Sequence, residues 1–548
     1  MPEAIELIRQ GKTEELWQKC CGFFDLSLEE FMAIQERLLL EQIELLSGCE
    51  LGRQLLGGTK PRNIREFQQR IPLTTYEDYA PYLLEKREDV LPERPLLWQR
   101  TSGRSGEYPC KWVPVSERMY REMEDTMMGM MILCTCNGRG HIALEEHDKI
   151  IYNLAPRPYS SGYMAVMAQE LFPLDFLPPI VEAEQMTFQE RTKEGFKLAL
   201  NEGLDMFFGL SSVLVAVGEQ FANGGGTKNI PSLLSKPRTL IRLLTALIKS
   251  KLARRPLYPK DVWSLKGVIA FGTDTSIYRE KVEEMWGCNP IDVYGSAELN
   301  IVAIQAWNRK DMTFFPHTNL WEFLPEPEYY KWKADRGYQP DTLLMDEVKA
   351  GENYVLMGTN LIGGPFVRYV IGDLIRITSL RDEELNIDTP QMTFISRIDG
   401  LIDIAGFTRL TEKVVWQAIE NSRLPYADWS IRKEESGGKP ILHLYLELKE
   451  SNITDEIQVA TSIHEQLSKL DADYANLESM LGLKPLKVTL LPKGTFGQYM
   501  LRQQEAGADL AFLKPPHMNS SDTVLDMLLA GVPVPVPEVS STEEIARQ

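Results

Sequence analysis

The sequence predicts a mixed α/β protein. A large N-terminal domain with βαβ sheets and a barrel-like β subdomain comes first, followed by a small α+β C-terminal domain. Three observations carry this. First, "LKGVIAFGTD" and "NPIDVYGSAE" are short apolar runs stopped by Gly272 and Gly295, with the helix-like "TSIYREKVEEMWG" between them. Strand, helix, strand is a βαβ unit, and it implies a partly parallel sheet covered on both faces. Second, after about Leu320 the runs "LLMDEV", "NYVLMGTN" and "FVRYVIGDLIRIT" alternate with turns, as in an antiparallel or barrel-like subdomain. Third, near residue 400 the pattern resets to a helix and two more strands.

The elements follow in chain order. "LSLEEFMAIQERLLLEQIELL" opens with a Ser27–Glu30 capping box, then carries apolar residues at helical spacing through Leu46. "TMMGMMILCTC" (Thr126 to Cys136) falls far short of the ~20 residues a membrane span needs, and reads as a methionine-rich buried helix. "LLTALIKSKLARRP" (Leu243 to Pro256) is basic and amphipathic and reads as a solvated helix end, so no membrane partner is expected. "SRIDGLIDIAGF" marks a boundary near Asp399, which gives domains at 1–398 and 399–520. In the second domain, "TEKVVWQAIENS", "PILHLYLELKE", "TDEIQVATSIHEQLSKL" and "LKVTLLP" alternate helix with strand. The proline-rich segment 521–548 reads as a loosely ordered tail.

Composition excludes several classes. At 548 residues the chain is too long for one compact core. A net charge of -19 argues against a nucleic-acid binder, which needs a basic face. The seven cysteines are scattered with no Cys-x-x-Cys pair, and no two histidines have His-x-x-x-His spacing, so neither thiol nor imidazole metal sites are indicated. The N-terminus is acidic where a signal peptide would be basic and then apolar, which leads to the expectation of a cytoplasmic protein; a monomer is also expected.

Four stretches can carry chemistry. In "RTSGRSGEYPCKW", Ser102, Gly103, Arg104, Ser105 and Gly106 form a hydroxyl- and glycine-rich loop. Such a loop turns backbone N–H groups toward an anion, with Lys111 to neutralise it. In "DVYGSAE", Tyr294 offers a ring to a base, Gly295 allows close backbone approach, and Glu298 is a hard carboxylate for Mg²⁺. In "RYVIGDLIRI", Gly372 followed by Asp373 presents a carboxylate that can accept hydrogen bonds from ribose hydroxyls. In "SRIDGLIDIAG", Arg397 and Asp399 beside Gly400 suit a hinge. Each of these is also compatible with an ordinary turn or core position.

The order of the four is that of the adenylate-forming superfamily. Two further stretches, "NLWEFLPE" with "GGPFVRYVIGD" and "LPKGTFGQYMLRQQEAGADLAFLKPPH", resemble the auxin-responsive acyl-acid amido synthetases of plants and their bacterial relatives. The resemblance runs from about residue 12 to 520. It implies ATP-dependent adenylation of a carboxylic acid, an aryl or indolic acid being compatible, and then attack by the amine of an amino acid. AMP and pyrophosphate would be released.

By the same resemblance, Ser102, Gly103, Arg104, Ser105, Gly106 and Lys111 line the phosphates. Gly272, Thr273, Tyr294, Gly295 and Ser296 hold adenine, Asp373 holds ribose, and Glu298 holds Mg²⁺. Lys514 acts from the small domain, with Lys493 as its competitor, and Arg397 stands with the catalytic residues. Asp399 is the hinge. Phe208, Ser211 and Trp321 are candidates for the acyl pocket. The chain departs from the family in having Arg104 for a threonine and Ala297 before Glu298. The hinge aspartate looks more like that of CoA ligases, so an acyl- or aryl-CoA ligase is the alternative.

Overall fold

In a computed structural model of the chain, the described residues are 3–101, 111–224, 237–270, 275–404, 408–436, 439–450, 455–472, 474–475, 477, 486–505 and 517–530. They divide into two compact units at Asp399/Gly400.

In the larger unit, β1 (Pro95–Arg100) and β2 (Trp112–Ser116) form an antiparallel hairpin. The main sheet is built from β3 (Lys149–Asn153), β4 (Asp175–Phe176), β5 (Met206–Gly209), β6 (Gly267–Ala270), β7 (Ile291–Ser296), β8 (Asn300–Gln305), β9 (Met312–Phe314), β10 (Asn319–Pro325), β11 (Asn353–Asn360), β12 (Tyr369–Ser379) and β13 (Gln391–Arg397). Its order is β10-β11-β12-β13-β9-β8-β7-β6-β5-β3-β4, eleven strands in all. The pairs from β4 through β3, β5 and β6 to β7 are parallel. From β7 to β10 every pairing is antiparallel. The expected βαβ unit is present: β6, the helix Thr275–Trp286, then β7 in parallel with β6. The strand-rich half continues the same sheet past β7.

Two large apolar clusters occur among the described residues of the larger unit. One gathers the methionine-rich helix Glu117–Thr135, whose Met127, Met128, Met130 and Met131 are buried, against β3, β5, β6 and β7. The other joins the N-terminal helices to β10, β11 and β12 through Phe31, Leu39, Phe67, Phe323, Leu356 and Ile375. In the helix Leu28–Gly48 the Ser27–Glu30 capping box is formed. Two buried glutamines on that helix reach across the second cluster. Gln35 Nε2 donates to the Asn319 carbonyl at 2.7 Å, and Gln42 Nε2 to that of Gly364 at 2.8 Å. Burying these amide N–H groups is tolerated because each finds a backbone carbonyl.

The smaller unit is α+β. It contains β14 (Ile402–Ile404) paired with β15 (Thr408–Leu410), and a sheet of β16 (Tyr426–Ser436), β17 (Lys439–Leu448) and β18 (Leu486–Leu491). β17 and β18 are parallel, with the helix Glu456–Leu470 between them in sequence. The segment His517–Asn519 bonds along β16: Ile431 N–H donates to the His517 carbonyl and Asn519 N–H to that of Ile431. One correction concerns the tail. Asp522–Leu529 is a helix capped by Ser521, and its Leu525 and Leu528 bury against Tyr445, Leu491 and Phe496. The apolar spacing of "VLDMLL" outweighs the proline-rich sequence that follows it. Residues 531–548 lie outside the described residues.

Candidate active site

Strand ends and one hairpin converge in the larger unit. The hairpin β1–β2 contributes Lys111. Thr101 N–H donates to the Lys111 carbonyl at 2.9 Å, which pins the two feet of the hydroxyl-rich loop. Ser102, Gly103, Arg104, Ser105 and Gly106, between those feet, lie outside the described residues, as do Gly272, Thr273 and Lys514.

The tight turn between β7 and β8 carries Glu298. Gly295 is required there: a Cβ would lie 2.6 Å from the Asn300 carbonyl oxygen, so any side chain would push the two strands apart. Ser296 is consumed locally, its Oγ accepting from the Leu299 N–H at 3.1 Å. This hydroxyl helps to hold the turn. Glu298 is buried, and its Oε1 accepts from the Tyr369 hydroxyl at 3.0 Å. Lys111 Nζ stands 3.5 Å from the same oxygen and 3.4 Å from the Tyr369 hydroxyl. Carboxylate, ammonium and phenol therefore form one contact triangle. Burial, and next to it the charge of Glu298, pushes the Tyr369 hydroxyl well above its usual range, so it stays a donor.

On β12, Gly372 has φ +83°, a left-handed conformation that favours glycine. It precedes Asp373, which pairs in register with Arg397 on β13. Tyr294 donates its hydroxyl to Asp373 Oδ2 at 2.7 Å, while Arg397 Nε lies 3.0 Å from Oδ1. The ion pair is not a hydrogen bond, however. Oδ1 is buried with no hydrogen-bond partner among the described residues. Burial drives the Asp373 carboxyl upward against the opposing pull of Arg397 and Tyr294. Arg397 itself is 56% exposed at its side chain and also donates to the Ile371 carbonyl at 3.2 Å. Asp373 thus keeps one acceptor lone pair in store, which suits a hydroxyl donor brought by a ligand.

Glu298 supplies one carboxylate, and the described residues contain no cluster of three His, Cys, Asp or Glu that could hold a metal alone. That donor set fits a Mg²⁺ that keeps its waters and arrives on phosphates, and not a caged ion.

The three acyl-pocket candidates fall in different parts of the main sheet and its clusters. Phe208 is a fully buried member of the methionine cluster, and Ser211 is buried at the start of the helix that follows β5. Trp321 lies near the opposite end of the sheet in the other cluster, its indole N–H bonded to the Phe315 carbonyl at 2.8 Å. Aromatic residues in strands serve packing and pockets alike, so type and spacing could not separate the two roles.

What sequence reasoning missed lies just beyond Glu298. Asn300, at φ +57°, has both side-chain polar atoms buried without partners among the described residues, and so has the Thr318 hydroxyl. Both line a cavity of about 10 Å³ with Met123, Met127, Met164 and Met167. Such a volume is about that of one water, in a wall of adaptable thioethers. Tyr369 was also missed, although it stands inside the quoted "RYVIGDLIRI".

Comparison with known families now bears on this geometry. The GH3 family N-terminal domain matches residues 20–148, the central domain 312–397 and the C-terminal domain 410–523, together more than half the chain. The chain belongs to the GH3 family.

Jasmonoyl–L-amino acid synthetase GH3.5 of Oryza sativa subsp. japonica is 26% identical over 231 residues, 40% of this chain and 38% of the relative. Jasmonoyl–L-amino acid synthetase JAR4 of Nicotiana attenuata is 25% identical over 208 residues, 37% of this chain and 34% of the relative. The match thus spans less than two-fifths of either relative. Among solved structures, AtGH3.15 acyl acid amido synthetase in complex with 2,4-DB superposes with TM-score 0.63 at 18% identity, covering 91% of this chain and 93% of that one. A 2-hydroxyisobutyryl-CoA ligase in the postadenylation state, in complex with R3-HIB-AMP, gives 0.59 at 14% identity, covering 89% and 94%. At these identities the likeness concerns the fold of GH3 and adenylate-forming enzymes. The Tyr294, Glu298, Asp373 and Arg397 constellation is what this GH3 chain builds on that fold.

Proposed function

We propose that the protein activates a carboxylic acid with ATP and passes the acyl group to the amine of an amino acid, releasing pyrophosphate and then AMP. The observation that carries this is the buried Asp373 Oδ1, ion-paired with Arg397 but without a hydrogen-bond donor among the described residues, on the carboxylate that the Tyr294 hydroxyl also holds. It offers a prepared acceptor to a ribose hydroxyl. Family membership supports the reading, as do the names of the matched relatives, which join an acyl acid to an amino acid.

Each residue then has a physical task. Asp373 accepts from ribose while Arg397 holds its charge in place. Lys111 stands where a phosphate oxygen can displace Glu298 as its partner, and Tyr369 keeps the Glu298 carboxylate oriented during that exchange. Glu298 is the residue that would hold Mg²⁺, which when bound neutralises phosphate charge and so makes the α-phosphorus open to an anionic carboxylate. Phe208 and Ser211, at the end of β5 and the start of the helix after it, stay the acyl-pocket candidates, and the cavity beside Asn300 has room for one water and not for an acyl tail. Lys514 or Lys493 of the smaller unit completes one half-reaction, with Asp399 as the hinge. Lys493 is exposed in a turn fixed by the buried Glu447, which accepts from the Gly494 and Phe496 N–H groups at 2.7 and 2.9 Å.

The deciding experiment is pyrophosphate release across a panel of carboxylic acids, followed by product mass spectrometry with pooled amino acids or CoA. An amide product is expected. A thioester would make the protein a CoA ligase, and absence of acid-dependent pyrophosphate release across the panel would overturn the adenylation reading itself.

A further inference from the structure

The basic amphipathic stretch from Leu243 to Pro256 takes no part in this chemistry. It forms most of the helix Pro237–Leu252. One face of that helix is docked on the larger unit. Leu243, Ala246 and Ser250 are buried, and Arg242 Nη1 donates to the carbonyls of Ala199 and Leu200 at 3.2 and 2.7 Å.

The opposite face is apolar and open. Ile241, Leu244, Ile248 and Leu252 are 65%, 48%, 60% and 79% exposed. At about 100° per residue they project as one stripe, away from the docked face. On the same projection Lys249 and Lys251, both exposed, fall roughly 80° to either side of the stripe. Arg254 follows, also exposed. No Asp or Glu occurs from Pro237 to Lys260, in a chain whose net charge is -19. Single exposed aliphatic residues are ordinary, but four in register with a lysine on either side are not.

We propose that this face docks on an anionic lipid bilayer, the helix lying in the plane of the headgroups. The arrangement is one that an interface between water and acyl chains selects. Aliphatic side chains point down, and lysines on both edges send their ammonium groups up to phosphates along apolar stems. The alternatives fit less well. A second copy seated here would set like charges against each other along both edges. The stripe also lacks the aromatic anchors that concentrate binding energy in specific protein interfaces. A helix with Lys249 and Lys251 exposed and no acidic residue, in a chain of net charge -19, complements an anionic surface.

The test is co-sedimentation of the full chain with vesicles of mixed phosphatidylcholine and phosphatidylserine, against vesicles of phosphatidylcholine alone. The expected result is binding to the mixed vesicles that weakens with salt. Lys249→Gln with Lys251→Gln should lower the partition coefficient by roughly 30-fold, at about one kcal/mol per basic residue near the surface. Ile248→Ser with Leu252→Ser should abolish binding, with circular dichroism and nucleotide turnover unchanged because these residues are far out on the surface and touch no site residue. No binding by the unaltered chain overturns the proposal, as does binding that survives the serine substitutions. So does a dimer, seen by analytical ultracentrifugation without lipid, that the same serine substitutions dissolve; the stripe would then belong to a second copy.

Discussion

A guanidinium with no exposed surface must place every donor, and Arg368 does. It pairs with the equally buried Glu322 at 2.7 Å, donates to the carbonyls of Gln68 and Ile71 and to the Thr342 hydroxyl, and is followed at once by Tyr369. Removing one partner of such a pair leaves an uncompensated charge. Arg368→Met is therefore expected to cost about 3–5 kcal/mol in chemical denaturation, and Glu322→Leu added to it should recover part of that. Tyr369→Phe tests a different property. It deletes one hydrogen bond to the Glu298 carboxylate, so turnover in pyrophosphate release should fall roughly 10- to 100-fold with stability little changed. An unchanged rate would remove Tyr369 from the mechanism. Glu298, Asp373 and Arg397 were legible in the sequence because their glycine-flanked motifs come in a fixed order. Tyr369 was not legible as a site residue, since its role depends on a contact with Glu298 that no local pattern encodes.

At the level of elements, the segment His517–Asn519 is held by charge as well as by backbone pairing. His517 is buried between Glu412 at 2.7 Å and Asp428 at 2.8 Å, and its ring stacks on that of Trp429. Burial alone would depress its pKa. The hydrogen bonds and charges of Asp428 and Glu412 outweigh burial and raise it to about 9. A folded-state pKa above the unfolded value of 6.5 means that the imidazolium stabilises the fold fully below about pH 6.5. That contribution is lost as pH rises through 9. Thermal unfolding of the smaller unit should therefore shift downward between neutral pH and pH 9.5, and His517→Gln should flatten that dependence. An identical pH profile in the variant would show that the ring is neutral throughout. Elements with strong local signals were legible, including the capped helix at Ser27, the βαβ unit and the buried methionine helix. The helix Asp522–Leu529 was hidden by the proline-rich sequence beside it, although its Leu525 and Leu528 carried the helical spacing needed to find it.

For the molecule as a whole, the sequence indicated a βαβ region, a strand-rich region and a small α+β unit. It did not indicate that the first two share one sheet. That continuity rests on β7, parallel to β6 on one side and antiparallel to β8 on the other, and on β13 pairing back to β9. Pairings of that kind join distant runs whose composition is indistinguishable from that of other strands. The N-terminal helices are equally dependent on remote chain, because their apolar faces close on the helix Glu117–Thr135 in one cluster and on strands that include β10, β11 and β12 in the other. A chain lacking residues 3–90 should consequently fail to form a cooperative larger unit. Circular dichroism with thermal melting would read this as a broad transition, and a sharp melt at the full-length midpoint would contradict it.

The long reach of Gln35, Gln42 and Arg368 also sets an order of events on the ribosome. Phe31 and Leu39 emerge early, but the carbonyl of Asn319, the glycine turn at Gly364 and the guanidinium of Arg368 do not exist until more than half the chain has been made. At translation rates of about 5–20 residues per second, partners 284 and 322 residues apart leave the N-terminal helix waiting roughly 15–65 s. During that interval the leucine-rich helix Leu28–Gly48 stands without the strands that cover it. The rate at which residues 43–364 are added thus sets how long that apolar surface stays open.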